Sequence, residues 1–138
     1  VIEAGVLLDT GPLVALIDKT DSRHSEAMSF FGQCSPPFIT SEAVITEACY
    51  LVGKGGSVGA QKIIELGTKG LYQIPFAMKD HWLLLESLME KYRDVSISLA
   101  DACLIRCAEI HNEPRILTFD SDFEFYRWGR NKKFEILK

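Results

Sequence analysis

Apolar positions in this chain follow two rhythms. Short apolar runs recur at Gly5 to Leu8, Phe38 to Thr40, Leu71 to Ile74, Arg115 to Phe119 and Phe134 to Leu137. Each is too short for a helix, and the first four have Gly, Pro or an acid at one or both ends, so each reads as a strand. Between them, apolar residues return every three or four positions. One set is Ala27, Phe30, Phe31 and Cys34; another is Val44, Ala48, Leu51 and Val52. A third is Trp82, Leu85, Leu88, Met89 and Tyr92; a fourth is Ala102, Leu104, Ile105 and Ala108. These predict amphipathic helices with the named residues buried.

The punctuation agrees. Pro12 suits the first turn of a helix from Gly11 to Ile17, and Asp21 or Ser22 caps the helix that follows. Pro36-Pro37 stops that helix, Ser41 caps the third, and Gly53-Lys54-Gly55-Gly56 ends it as a turn. A fourth helix runs from about Ser57 to Thr68. Ser98 opens the last long helix, and Phe123 to Trp128 reads as a short helix or turn. Alternating strands and helices predict an α/β fold with a parallel sheet covered on both faces and right-handed crossovers.

Length and composition narrow this further. A chain of 138 residues has the length of one domain, spanning 1–138. It can bury about two-thirds of its unfolded surface without a disulfide or metal staple. A hydrophobic share of 47% and a charged share of 25% suit a soluble globule. The net charge of −4 argues against a non-specific nucleic-acid coat, yet permits an enzyme that meets nucleic acid through a local patch. Cys34, Cys49, Cys103 and Cys107 form no C-x-x-C and read as reduced core residues of a cytoplasmic protein. Cys103, Cys107 and His111 share a helical spacing, but small buried residues explain the cysteines as well as zinc does. No apolar run approaches the ~18 residues of a membrane span, and the start lacks the pattern of a secretory leader.

The chemistry lies in the acids. Asp9 closes the first strand in Val6-Leu7-Leu8-Asp9-Thr10-Gly11-Pro12, and Asp120 closes a later one in Leu117-Thr118-Phe119-Asp120-Ser121-Asp122. In open parallel sheets, ligands sit beyond the carboxyl ends of strands. Asp101 stands in the first turn of a helix opened by Ser98, and Glu47 lies inside a helix beside a strand. Each has a plain alternative. Asp9 suits a helix N-cap, Asp101 a first-turn acid, Asp120 a turn acid, and Glu47 an ordinary solvent-facing residue. Taken together, they come from segments that return to one rim. Carboxylates gathered there repel one another and raise each other's pKa. A divalent cation with oxygen preference, Mg2+ or Mn2+, relieves that repulsion better than zinc, since no His or Cys joins the set.

Four stretches in order carry a resemblance. Leu7 to Leu16, Thr46-Glu47-Ala48, Ser98-Leu99-Ala100-Asp101-Ala102 and Leu117 to Phe123 resemble the PIN domain, in particular the stand-alone VapC-like ribonucleases of toxin–antitoxin pairs. The resemblance implies a three-layer α/β/α sandwich with a mostly parallel sheet of about four to five strands. It implies metal-holding, catalytic acids at Asp9, Glu47, Asp101 and Asp120, with Asp122 as a further metal ligand. Thr10 and Thr118 match supporting hydroxyl positions. It also implies cleavage of RNA, an antitoxin partner and a homodimer. Residues 53–59 and 72–82 match no motif and are open to substrate or partner specificity.

RNA needs cations to hold it. Lys54, Arg127, Arg130, Lys132 and Lys133 are candidates, with a solvated surface as the alternative. A non-cleaving PIN-like module that binds RNA or protein is the rival reading, and the four acids speak against it. A haloacid-dehalogenase-type phosphotransferase expects a second Asp where Gly11 stands. His24, His81 and His111 read as structural or exposed, which leaves nucleophilic Ser or Cys catalysis without a base.

Overall fold

The computed structural model describes residues 1–137. Among them the strands are β1 (Leu7–Leu8), β2 (Phe38–Ile39), β3 (Tyr72–Gln73), β4 (Arg115–Leu117), β5 (Arg127–Trp128), β6 (Lys132–Lys133) and β7 (Glu135–Ile136). The helices are α1 (Thr10–Ile17), α2 (His24–Gln33), α3 (Glu42–Val52), α4 (Val58–Thr68), α5 (Trp82–Lys91) and α6 (Leu99–His111). Strands β3, β2, β1, β4 and β7 form one sheet in that order, every pair parallel. Leu7 lies opposite both Ile39 and Ile116, which places β1 at the centre.

Helices cover both faces, so the central strands are apolar throughout. The pleat sends alternate residues to opposite sides. Leu7 and Ile116 join the core beneath α5 and α6, with Leu104 and Ile105. Val6, Leu8 and Leu117 join the opposite core, with Leu13, Phe30 and Ile63. Helix α3 serves both, Val44 entering the first core and Ala48 the second. It packs on α1, α4 and α6. Among the described residues no helix is long and apolar enough to cross a membrane. The resulting α/β/α layering is the one the resemblance implies.

Several expectations need correction. Helix α2 begins at His24 with Arg23 in the capping position; Asp21 instead accepts the Arg23 backbone N–H at 2.8 Å and turns the chain. Phe123 to Trp128 is neither one helix nor one turn. A 3-10 turn over Ser121–Glu124 leads into β5, which pairs antiparallel with β6. Two members of the expected apolar stripes are exposed, Trp82 at 59% and Leu51 at 39%, and Phe31, Val52, Leu88 and Met89 are half-buried. Trp82 opens α5 and lines a surface groove with Leu85 and Leu99, while Leu85 and Tyr92 further along are buried.

Candidate functional site

Asp9 is placed by the strand that precedes it. Its backbone N–H donates to Leu117 O at 3.0 Å, extending the β1–β4 ladder by one residue. The chain then turns into α1, and Asp9 Oδ1 accepts the Thr10 N–H at 2.7 Å, as an N-cap does. The second oxygen is also held. Thr118, just beyond β4, donates its hydroxyl to Asp9 Oδ2 at 2.6 Å, and the same hydroxyl accepts the Asp120 N–H at 3.0 Å. One threonine thus links two of the acids. Asp120 in turn accepts the Asp122 N–H at 2.9 Å, a local turn bond.

Asp101 is delivered by α6. Ser98 caps that helix by accepting the Asp101 N–H at 3.0 Å, which fixes the acid in the first turn. Its side chain is anchored by Tyr126, whose hydroxyl donates to Oδ2 at 3.0 Å. Tyr126 is fully buried among aromatic rings, 5.1 Å from both Tyr92 and Phe123 between centroids. No motif in the sequence flags Tyr126; its link to Asp101 exists only once the β5 segment has folded against α6. Glu47 reaches the site because α3 packs on α1 and α6.

These acids line one open cavity of about 620 Å³, together with Thr10, Asp122 and Leu51. The exposure of Leu51 thus belongs to the cavity wall. Asp9 and Asp101 are 6% and 9% exposed. Burial pushes the Asp9 carboxyl up to about 6; the bonds from Thr118 and Thr10 pull it down, and repulsion from Asp120 and Glu47 adds to the rise. Burial likewise pushes Asp101 up to about 7, with Asp9 as the next contributor and Tyr126 opposing. The two deepest acids are therefore short of positive charge.

A hard divalent cation fits this donor set. The donors are carboxylate oxygens, and the Thr10 hydroxyl is buried on the cavity wall without a hydrogen-bond partner among the described residues. Among those residues no three His, Cys, Asp or Glu side chains converge tightly enough to enclose an ion directly. Mg2+ does not require that, because it keeps several waters and takes one or two carboxylates. Zinc fits poorly at the alternative position. Cys103 and Cys107 are buried, with thiols pushed up to about 11 and about 12 by burial, whereas His111 is exposed.

Among the described residues Lys54, Arg127, Arg130, Lys132 and Lys133 do not line the cavity. The Arg127 guanidinium donates instead to three nearby carbonyls, and Lys132 lies over the Trp128 ring. Among the described residues the cation on the cavity wall is Arg23, which carries no sequence motif because it sits in an ordinary turn before α2. His24 Nδ1 lies 2.7 Å from Ala15 O and His81 stacks on Phe76, both structural contacts.

Comparison with known proteins agrees with the fold. A family model described as the PIN domain matches residues 6–129. A curated relative, Ribonuclease VapC26 of Mycobacterium tuberculosis, is 25% identical over 124 residues, covering 83% of this chain and 86% of the relative. The crystal structure of Mycobacterium tuberculosis VapC20, described as a sarcin-ricin loop cleaving toxin, superposes with a TM-score of 0.73 at 20% identity. That match covers 86% of this chain and 92% of VapC20.

Proposed function

Because the chain belongs to the PIN domain family, we propose that it is an endoribonuclease dependent on Mg2+ or Mn2+, and the toxin of a toxin–antitoxin pair. The observation that carries this is the meeting of Asp9, Glu47, Asp101 and Asp120 on the wall of one cavity at the carboxyl rim of the sheet. The description of the curated relative as a ribonuclease supports RNA as the substrate class. Nothing favours a module that binds without cutting.

In this reading Asp9, Glu47, Asp101, Asp120 and Asp122, which line the cavity together, would hold the cation. The bound ion supplies Lewis acidity toward water and phosphate oxygens at neutral pH. The protein's part is to aim its carboxylates and to offset some of the penalty that burial places on their charge. Thr118 fixes the plane of Asp9 through Oδ2, and Tyr126 does the same for Asp101. Both hydroxyls stabilise the charged form of the acid they touch. Such supporting partners matter to a metal site nearly as much as the ligands do.

The same reading includes a protein antitoxin that blocks the cavity and a homodimer in solution. Trp82 and Leu83, 59% and 74% exposed on α5, offer apolar surface for such contacts. The test is digestion of a mixed RNA pool with Mn2+ or with chelator, followed by mapping of the ends. Mn2+-dependent cuts at defined positions are expected. An RNA pool left intact at every Mn2+ concentration rules the proposal out.

A further inference from the structure

Arg23 is the only cation among the described residues that line the acid cavity, facing six carboxylates there. An incoming polyanion is repelled by such a wall, so wherever a positive charge stands in it carries unusual weight. The guanidinium is held in place. Nε and Nη2 each donate to Glu26 at 2.8 Å, and the guanidinium carbon lies 3.6 Å from the centroid of the Phe119 ring. Phe119 lies against the backbone of Gly11, where a Cβ would stand 3.6 Å from the aromatic side chain. The stack Gly11–Phe119–Arg23 therefore ties the charge to both loops that carry acids, the one after Asp9 and the one before Asp120.

Ordering a long side chain costs entropy, which an exposed ion pair offsets only in part. Here an aromatic face and a two-point carboxylate pair act together. They leave Nη1 without a partner among the described residues. Arg23, Phe119 and Asp120 also line a second groove of about 340 Å³, so the guanidinium stands on the ridge between it and the acid cavity.

We propose that Arg23 binds the RNA phosphate next to the scissile one, where the strand crosses this ridge from the acid cavity into the neighbouring groove. This rests on the ribonuclease reading above. Arginine suits the task, because its planar fork can keep one edge on Glu26 while another meets a phosphate.

The test uses the salt dependence of binding to a labelled single-stranded RNA pool at one fixed, saturating Mn2+ concentration, measured with the full chain carrying Asp9→Asn so that RNA is bound and not cut. Arg23→Gln and Arg23→Lys are compared in that background. Losing one phosphate contact should reduce the slope of log K against log salt by about 0.7 for single strands. Arg23→Gln should show that loss and bind about tenfold more weakly, while Arg23→Lys keeps the slope. Lys69, paired with Glu65 on α4 and lining neither cavity, serves as a control whose replacement by Gln leaves the slope unchanged. Equal slopes for Arg23→Gln and Arg23→Lys overturn the inference while leaving the ribonuclease reading intact. An unaltered chain that neither cuts nor binds RNA overturns both.

Discussion

Asp9 is an acid that favours folding in its neutral form. Its carboxyl titrates at about 6 in the folded chain against an ordinary 3.8, so the folded state holds the proton more tightly. That contribution is fully present below pH about 4 and is lost as pH rises through about 6, with a size of about 3 kcal/mol for a shift of this extent. Asp101 acts in the same direction up to about pH 7. In metal-free buffer, Asp9→Asn should therefore melt close to the unaltered protein at pH 4. It should melt progressively higher than the unaltered protein as pH rises to 8. A constant difference across that range would show that burial does not penalise the charge. Tyr126 makes a second test. Tyr126→Phe keeps the buried ring and removes only the hydroxyl that donates to Asp101 at 3.0 Å. RNA cleavage should fall about tenfold or more, with more Mn2+ needed for half-maximal rate, as for other partners that orient metal ligands. An unaltered rate and Mn2+ dependence would remove Tyr126 from the site. At this scale the four main acids were legible because each is tied to a local event: a strand end, a helix start or a helix interior. Tyr126 was not, because Asp101 is 25 residues away in the chain; Arg23 was not, because only Glu26 is near in sequence while the Phe119 ring and the acid cavity come from distant segments.

At the scale of elements, α3 and α4 show how closely backbones can constrain sequence. A Cβ added at Gly59, in the first turn of α4, would stand 2.7 Å from the carbonyl oxygen of Val52 at the end of α3. Two effects oppose each other in Gly59→Ala. Helix propensity favours alanine by about 1 kcal/mol, while forcing an atom against a backbone oxygen costs about 1–3 kcal/mol. Net destabilisation should be visible as a lower urea midpoint, and a raised midpoint would mean that the two helices separate freely. Element types were read correctly wherever the period was strong, as in α6, whose Ala102, Leu104, Ile105 and Ala108 are all buried. The β5–β6 hairpin escaped because its strands are two residues each and three of their four residues are Arg or Lys. Only the buried Trp128 hints at a packed face. Trp82 misled for a related reason: a helical period says which residues share a face, not how fully each is covered, and Trp82 lines an open groove beside Leu99.

The whole molecule resolves an apparent conflict of charge. A chain of net charge −4 with its acids gathered in one cavity is a poor receptor for RNA unless a cation enters first. Topology supplies the cavity. With β1 at the centre and β4 beside it, the residues that follow both strands emerge together, and α3 and α6 bring their acids to the same rim. That convergence could be anticipated from two acids at strand ends, one at a helix start and one inside a helix, whereas the cation on the wall required the fold. The most direct measurement compares RNA cleavage by the unaltered chain and by Asp101→Asn across a Mn2+ titration, with folding of both verified by melting. Cleavage that rises with Mn2+ in the unaltered chain and is absent from a folded Asp101→Asn is the expected result. Full cleavage by Asp101→Asn, or by the unaltered chain in chelator, contradicts it.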